Sequence, residues 1–368
     1  MKPAIHRSTQ IIVDRQALRN NFQHEKQLLN PQTNIFAVVK ANAYGHGAVV
    51  VATTLSQMGV DGFCVATLDE ALELRQAGLQ EPILVLGITP VQQAKIAAQA
   101  DISLTVATLK WLEDAAAVLE QPLKVHLALD TGMGRIGLTK KAEVLQACDF
   151  IQQHSKLLPE GIFTHFATAD EVDTQYFQFQ VENFQHLTAD LPVKFKYIHC
   201  ANSATSLWHL DCQCNMIRLG IALYGLNPSG KAIEPPYKLQ PALSLQTEIV
   251  HIKQVAPGQK ISYGATYTAA QSEIIATLPL GYADGWLRRM GGSYVSVAGE
   301  LCPIVGRVCM DQMMIKVPKF YPLGTKVTLI GADQKINLSA ETAAEYAHTI
   351  NYEILCNLSD RIPRKYVN

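Results

Sequence analysis

Between residues 35 and 225 short apolar runs alternate eight times with amphipathic stretches, a rhythm that few architectures accommodate. The runs are Ile35–Ala41, Gly62–Thr67, Pro82–Gly87, Ile102–Val106, Lys124–Asp130, Gly161–Ala167, Tyr197–Ser203 and Met216–Gly225. Strands covered by helices on both faces read as near-continuous apolar runs of this kind. The intervals carry helix signals instead: Thr67 and Glu70 are spaced as a capping box, and Gly78 offers a helix C-cap. Eight such units predict an α/β fold, a (β/α)8 TIM-type barrel. A doubly wound open sheet is the competing topology.

After Asn227–Pro236, a stretch rich in proline and glycine, the texture changes to closely spaced, turn-separated strands. These are Leu243–Ile252, Glu273–Leu280, Ser293–Val297, Cys302–Val308, Met313–Val317 and Lys326–Ile330. They predict a mainly β second domain following the barrel. A chain of 368 residues also exceeds what one hydrophobic core usually organises. The expected domains are therefore 9–232 and 233–368, with the strand within 1–13 able to join either.

Net charge is -1, with 31 basic and 32 acidic residues and no long basic cluster, so a nucleic-acid partner is not expected. No apolar run is long enough to span a membrane, and Met-Lys-Pro-Ala-Ile-His-Arg lacks the apolar core of a secretory leader. Of the 8 cysteines, Cys64, Cys200 and Cys302 lie inside apolar runs as small hydrophobes do. Cys212-Gln-Cys214 has no second pair at zinc spacing, so no metal is expected. A reduced, cytoplasmic enzyme is the reading.

Active sites of TIM-type barrels sit at the C-terminal strand ends. The polar residues falling there are Lys40, Arg135, His165, Asn202, Ser203 and Arg218. An isolated lysine at a strand end more often keeps its ammonium in water. If buried, its pKa falls and the free amine becomes available to attack carbonyls, which suits an aldehyde cofactor. His199-Cys-Ala-Asn-Ser-Ala-Thr205 places hydroxyls at a helix start, where they either cap the helix or help hold an anion. Arg218 lies within an apolar strand and needs buried partners, because a guanidinium cannot shed its charge. Gly220 after it lets backbone approach a ligand closely. In the second domain, Tyr263, Tyr282 with Arg288, and Met310 stand in three turn-bounded loops.

These residues resemble those of a known family, the pyridoxal-phosphate-dependent alanine racemases of fold type III. Ala37–Gly47 resembles the family's cofactor-lysine signature. The likeness continues, in order, through Asp130–Gly137, Thr164–Ala167, Met216–Gly220, Ile261–Thr266 and Asn351-Tyr352. The resemblance implies that Lys40 anchors pyridoxal phosphate, that Tyr44, Ser203, Gly220, Ile221 and Tyr352 hold its phosphate, and that Arg218 faces its ring nitrogen. It further implies that Lys40 and Tyr263 are the two acid/base groups of a racemase. Tyr263 would come from the partner subunit of a homodimer, and His165 would lie between it and Arg218. Arg135 and the Met310 amide would bind the substrate carboxylate, with Tyr282 and Arg288 at the entrance. The implied activity is interconversion of L- and D-alanine, supplying D-alanine for cell-wall synthesis.

One position departs from the pattern. Many members carry a carbamylated lysine two residues before the aspartate of Asp130–Gly137, where this chain has Ala128. Another anion is then expected at Arg135, either chloride or a side chain such as Asp170. Other readings remain in view: a racemase for serine or a wider range of amino acids, a fold-type III decarboxylase, and a non-catalytic carrier of the same cofactor. A metal-dependent barrel hydrolase is suggested only by His126, His165 and His199 on successive strands. Lys40 and Arg218 occupy the places where its other ligands belong.

Overall fold

The computed structural model describes residues 2–212 and 214–368. Their contacts divide into two units. One comprises Leu18–Ala43 and Gly47–Gln240, the other the N-terminal stretch through Ala17, Tyr44–His46 and Pro241–Asn368.

After β1 (Gln10–Asp14), the first unit carries β2 (Asn34–Val38), β3 (Gly62–Val65), β4 (Ile83–Ile88), β5 (Ile102–Val106), β6 (Leu123–Ala128), β7 (Leu157–Phe163), β8 (Tyr197–His199) and β9 (Met216–Leu219). The last eight form one parallel sheet in the order β8-β7-β6-β5-β4-β3-β2-β9. A bridge between Ala201 and Ile217 brings its two ends together, with the Arg218 amide donating to the Ala201 carbonyl at 3.0 Å. The sheet thus closes into the expected barrel, and the open-sheet alternative is excluded. Apolar residues of both strand faces enter the core; all five residues of β5 are buried.

Strand ends differ from the expected runs for local reasons. The last barrel strand stops at Leu219, not Gly225, because Ile221–Tyr224 winds into a 3-10 turn. β8 stops at His199, not Ser203, because Asn202 caps the helix Ser203–Trp208, its side chain accepting from the Thr205 amide. Thr67 and Glu70 form the expected capping box. Glu70 does more than cap, since its carboxylate also accepts from the amides of Ala41 and Ala66, both at 2.7 Å.

The barrel unit extends past the Pro/Gly-rich stretch expected to end it at 232. The Tyr237 hydroxyl donates to Glu25 at 2.6 Å, and Asn21 bonds Gln240 through both backbone groups, at 2.8 and 2.9 Å. Those bonds hold the segment 237–240 to the first helix, Arg15–Leu28, and the division falls between Gln240 and Pro241.

The second unit carries β10 (Leu243–Glu248), β11 (His251–Val255), β12 (Lys260–Ile261), β13 (Tyr267–Thr268), β14 (Glu273–Leu278), β15 (Tyr294–Val297), β16 (Glu300–Val305), β17 (Met313–Val317), β18 (Lys326–Asp333), β19 (Ile336–Leu338) and β20 (Arg364–Val367). Its main sheet runs β11-β14-β17-β16-β15-β18-β10-β1-β20. The strand within residues 1–13 therefore joins this unit, pairing antiparallel with β10 and parallel with β20. The single strand expected over Leu243–Ile252 divides in two because its halves have different partners: β10 pairs with β18, and β11 with β14. Among the described residues no helix is long and apolar enough to cross a membrane.

Glu70→Ala removes a helix cap and the acceptor shared by the Ala41 amide next to Lys40 and the Ala66 amide after β3. Unfolding free energy is expected to fall by about 1–2 kcal/mol. Chemical denaturation followed by circular dichroism checks this, and an unchanged midpoint would refute it.

Candidate active site

Lys40 follows β2 at an unusual piece of backbone. Ala41, Asn42, Ala43 and Tyr44 all have φ of 52–53°, in the left-handed region. Each such non-glycine residue costs roughly 1–2 kcal/mol. Local bonds support the turn: the Gly47 amide donates to the Asn42 carbonyl at 2.9 Å, and the Ala48 amide to the Asn42 side chain at 2.8 Å. Strain of this kind marks a position whose geometry matters. Lys40 is half-buried, not buried as its apolar neighbours suggest.

It lines a cavity of about 330 Å³ in the barrel unit, together with Ala128, Arg135, Phe163, His165 and Arg218. Of the residues expected at the barrel mouth, the structure brings Lys40, Arg135, His165 and Arg218 to this one space. Ser203 is 4% exposed and lies apart from that lining; its hydroxyl accepts from the Gly220 amide at 2.8 Å and the Ala222 amide at 3.4 Å. Ser203 is therefore joined to Gly220 and Ala222, the residues flanking Ile221, at the start of two helical turns. The hydroxyl hydrogen remains available to donate.

Arg218 is 3% exposed and has no carboxylate within ion-pair reach among the described residues. Its guanidinium donates to His199 Nδ1 at 2.6 Å, to the carbonyls of Thr164 at 2.8 Å and of His199 and Cys200 at 3.2 Å, and reaches His165 Nδ1 at 3.4 Å. It also stands over the Phe163 ring, 5.4 Å from its centre. The structural ion pair that a buried arginine suggests is absent, replaced by imidazoles and carbonyls. Burial and then the Arg218 charge push His165 and His199 well below the ordinary histidine range, so both rings are neutral acceptors.

The loop of Asp130–Gly137 is held by its own carboxylate. Asp130 accepts from the amides of Gly132, Gly134 and Arg135, each at 3.0 Å. Arg135 is exposed and forms no ion pair with Asp170 or any other described side chain. The expectation for Asp170 is therefore corrected: with Asp130 spent on backbone amides and Ala128 offering no charge, no side chain among the described residues neutralises this guanidinium. Of the two anions expected there, only chloride, an ion rather than a side chain, remains in view.

In the β unit, three loops converge. The Tyr282 amide donates to the Cys309 carbonyl and the Ala283 amide to the Met310 carbonyl, both at 3.0 Å. The Ser262 hydroxyl donates to the Arg307 carbonyl at 2.6 Å. Gly281 is required at this crossing, since a Cβ there would fall 2.3 Å from the Cys309 oxygen. Tyr263, Met310 and Tyr282 are thus held on adjacent loops, 68%, 53% and 40% exposed. Arg288 lines a separate cavity of about 720 Å³ with Arg289, Arg307 and Lys316. Sequence reasoning misses Arg307 and Lys316, because nothing in the chain marks two distant basic residues as neighbours. In the same unit the rings of Tyr44 and Tyr352 face each other with centres 6.0 Å apart.

The donor set suits the cofactor that the resemblance implies. A primary amine on the cavity wall can take an aldehyde, and a guanidinium that only donates can face only an acceptor, as an unprotonated ring nitrogen is. Metal chemistry has less support: among the described residues no group of three histidine, cysteine or acidic side chains is arranged to hold an ion. His126 and His199 bond to each other instead, at 2.9 Å. Gln213, between Cys212 and Cys214, lies outside the described residues.

Neutral imidazoles also set a pH dependence. His126, His165 and His199 have folded pKa values below the unfolded value near 6.5, each chiefly through burial. The unfolded chain then binds more protons than the fold in the window below about 6.5, so stability falls as pH is lowered through it. Thermal unfolding at pH 7.5 and at 5.5 is expected to show a lower midpoint at the acid end. Equal midpoints would contradict the assignment of neutral rings.

Comparison with known proteins gives a consistent picture. The family model described as "Alanine racemase, N-terminal domain" matches residues 13–228, and the one described as "Alanine racemase, C-terminal domain" matches 242–366. The chain is 53% identical over 367 residues to an alanine racemase of Pediococcus pentosaceus, covering 100% of this chain and 98% of that protein. It is 54% identical to one of Latilactobacillus sakei, covering 98% and 97%. Among solved structures it is similar to the alanine racemase of E. faecalis, with TM-score 0.98 and 50% identity over 100% of both chains. A histidine racemase of Leuconostoc mesenteroides has TM-score 0.94 and 35% identity, again over 100% of both.

Proposed function

The chain belongs to the alanine racemase family and is an isomerase interconverting L- and D-alanine; from that premise we propose that it works with pyridoxal phosphate by a two-base mechanism in a homodimer. The observation that carries this reading is the meeting of Lys40, His165 and Arg218 at one cavity of a chain matched along its length by alanine racemases. A histidine racemase is also similar, but at 35% identity against 50% or more for the named alanine racemases above. A decarboxylase is not favoured by these likenesses.

When bound, pyridoxal phosphate joins the substrate amine and draws electron density from the α-carbon, making its hydrogen acidic. The protein then has to hold the substrate and move protons at its two faces. Lys40 accepts or returns the α-proton on one face. Tyr263 of the partner subunit does so on the other. Arg135 and the Met310 amide orient the substrate carboxylate, and Tyr282 and Arg288 line the approach. Ser203, Gly220 and Ile221, with Tyr44 and Tyr352, hold the phosphate.

Arg218 would hold the ring nitrogen of bound pyridoxal phosphate. A permanent donor at the ring nitrogen keeps that atom unprotonated, so the ring is a weaker electron sink. With Arg218 as its partner, the group would supply chemistry that favours return of the proton to the α-carbon. The D-alanine so made would serve cell-wall synthesis.

Adding pyridoxal phosphate to purified protein is expected to produce a visible absorption band that Lys40→Ala lacks. Solvent deuterium should enter the α-position of both L- and D-alanine, and absence of exchange from either enantiomer would sink the racemase reading. With Tyr263→Phe, removal of the proton should slow by about 100-fold or more for one enantiomer and far less for the other. Equal slowing would rule out a base on each face.

Mixing Lys40→Ala with Tyr263→Ala tests the shared site. If each Tyr263 serves the other chain, mixed dimers contain one intact site and recover activity that neither parent has. No recovery after verified subunit exchange would place both bases on one chain.

A further inference from the structure

Beyond the Lys40 cavity, the barrel interior holds a line of polar groups that the steps above leave unused. His199 Nδ1 accepts from Arg218 at 2.6 Å; His199 Nε2 meets His126 Nδ1 at 2.9 Å; His126 Nε2 meets Glu160 at 3.1 Å. Ser103 donates to the same Glu160 oxygen. His126 and His199 are fully buried, and neither ring nor Glu160 lines the cavity.

The end members determine every proton between them. Arginine only donates, so His199 must offer a lone pair at Nδ1 and carry its hydrogen on Nε2. That hydrogen requires a lone pair on His126 Nδ1, which puts the His126 hydrogen on Nε2. An ionised carboxylate only accepts, and Glu160 receives it. Burial lowers the His126 pKa, partly opposed by Glu160, so the ring is neutral. Burial works to raise Glu160, but the hydrogen bonds from His126 and Ser103 and the Lys124 charge outweigh it and hold the carboxyl below its ordinary value. The line therefore runs from a positive to a negative end through two neutral rings of fixed tautomer.

Two backbone features exist to accommodate it. The pairing of β6 with β7 shifts register between Val125 and His126: Val125 faces Pro159 and His126 faces Gly161, leaving Glu160 as the extra residue of a bulge. A bulge re-aims its side chain, here toward His126. At the next residue a Cβ would lie 2.2 Å from His126 Nδ1, so Gly161 leaves room for the ring. A pair of histidines that merely filled the core would require neither a bulged carboxylate nor a bare backbone beside the ring.

We propose that Glu160 is a positioning residue for the reaction, acting through His126 and His199 as the negative end of a line that holds Arg218 in place behind the cofactor. This rests on the reading that Arg218 faces the pyridoxal-phosphate ring nitrogen. Without Glu160, the His126 Nε2 hydrogen is buried unpaired and the line loses its anchor. The guanidinium then has other imidazole and carbonyl partners within reach, and its aim is no longer unique.

The test uses the cofactor-free protein first. Imidazole N–H protons of ¹⁵N-histidine-labelled protein report the line directly. Wild type is expected to show protected signals from both His126 Nε2 and His199 Nε2. Glu160→Leu should lose the first and shift the second, and Glu160→Gln, which keeps an acceptor, should retain both. In loaded enzyme, Glu160→Leu should lower kcat about 10- to 100-fold with KM little changed, as for other groups that orient a contacting residue. Glu160→Gln should recover most of that loss. Should Glu160→Leu fail to fold, His126→Phe breaks the line from within and should show the same kcat loss. Unaltered N–H signals in Glu160→Leu, equal losses in the leucine and glutamine variants, or wild-type kcat in folded His126→Phe would each overturn the assignment. Protein with the expected signals but no affinity for pyridoxal phosphate would overturn the functional reading on which the assignment rests, and the assignment with it.

Discussion

A guanidinium buried without a carboxylate beside it governs the interior of this barrel. Removing such a charge from water costs several kcal/mol unless hydrogen bonds replace the lost hydration. Arg218 obtains them from three carbonyls and two imidazoles. Each imidazole can accept only if neutral, and both are held neutral by burial and by Arg218 itself. The counter-charge is displaced along the barrel to Glu160. The guanidinium therefore reaches a carboxylate only through two imidazoles, His199 and His126.

Strain and bare backbone appear where that arrangement and the Lys40 turn demand them. Four consecutive non-glycine residues after Lys40 are left-handed, a conformation no isolated peptide would hold. It persists because Asn42, Glu70 and the Gly47 amide bond the turn from several sides. Gly161 and Gly281 serve a different purpose, letting a ring or a carbonyl approach within a distance that any Cβ would occupy. Catalytic geometry here is a property of backbone as much as of side chains.

Much of this is legible in the order of the amino acids. The eight apolar runs predict the barrel strands, and Ile102–Val106 and Met313–Val317 agree with their observed bounds. Lys40 and Arg218 stand out because a cation inside an apolar run needs a reason. The capping pair Thr67 and Glu70 is readable from spacing alone. The fate of Leu243–Ile252 is not, since a strand that changes partner midway looks continuous in hydropathy. Nor is the absence, among the described residues, of an ion pair at Arg135, which depends on Asp130 being consumed by three amides. His126 attracts notice in the sequence only as a candidate metal ligand, and Glu160 attracts none.

What the amino-acid order determined by itself is the periodicity, and with it the barrel, the second β unit and the set of reactive side chains at strand ends. These follow from local rules: a run long and apolar enough makes a buried strand wherever it lies. Tertiary structure alone decided which protons sit on which nitrogens. His126, Glu160 and His199 come from three strands, and a one-residue bulge opposite His126 determines whether Glu160 faces it. Register between strands is a long-range quantity, set by closure of the whole barrel rather than by any segment of it.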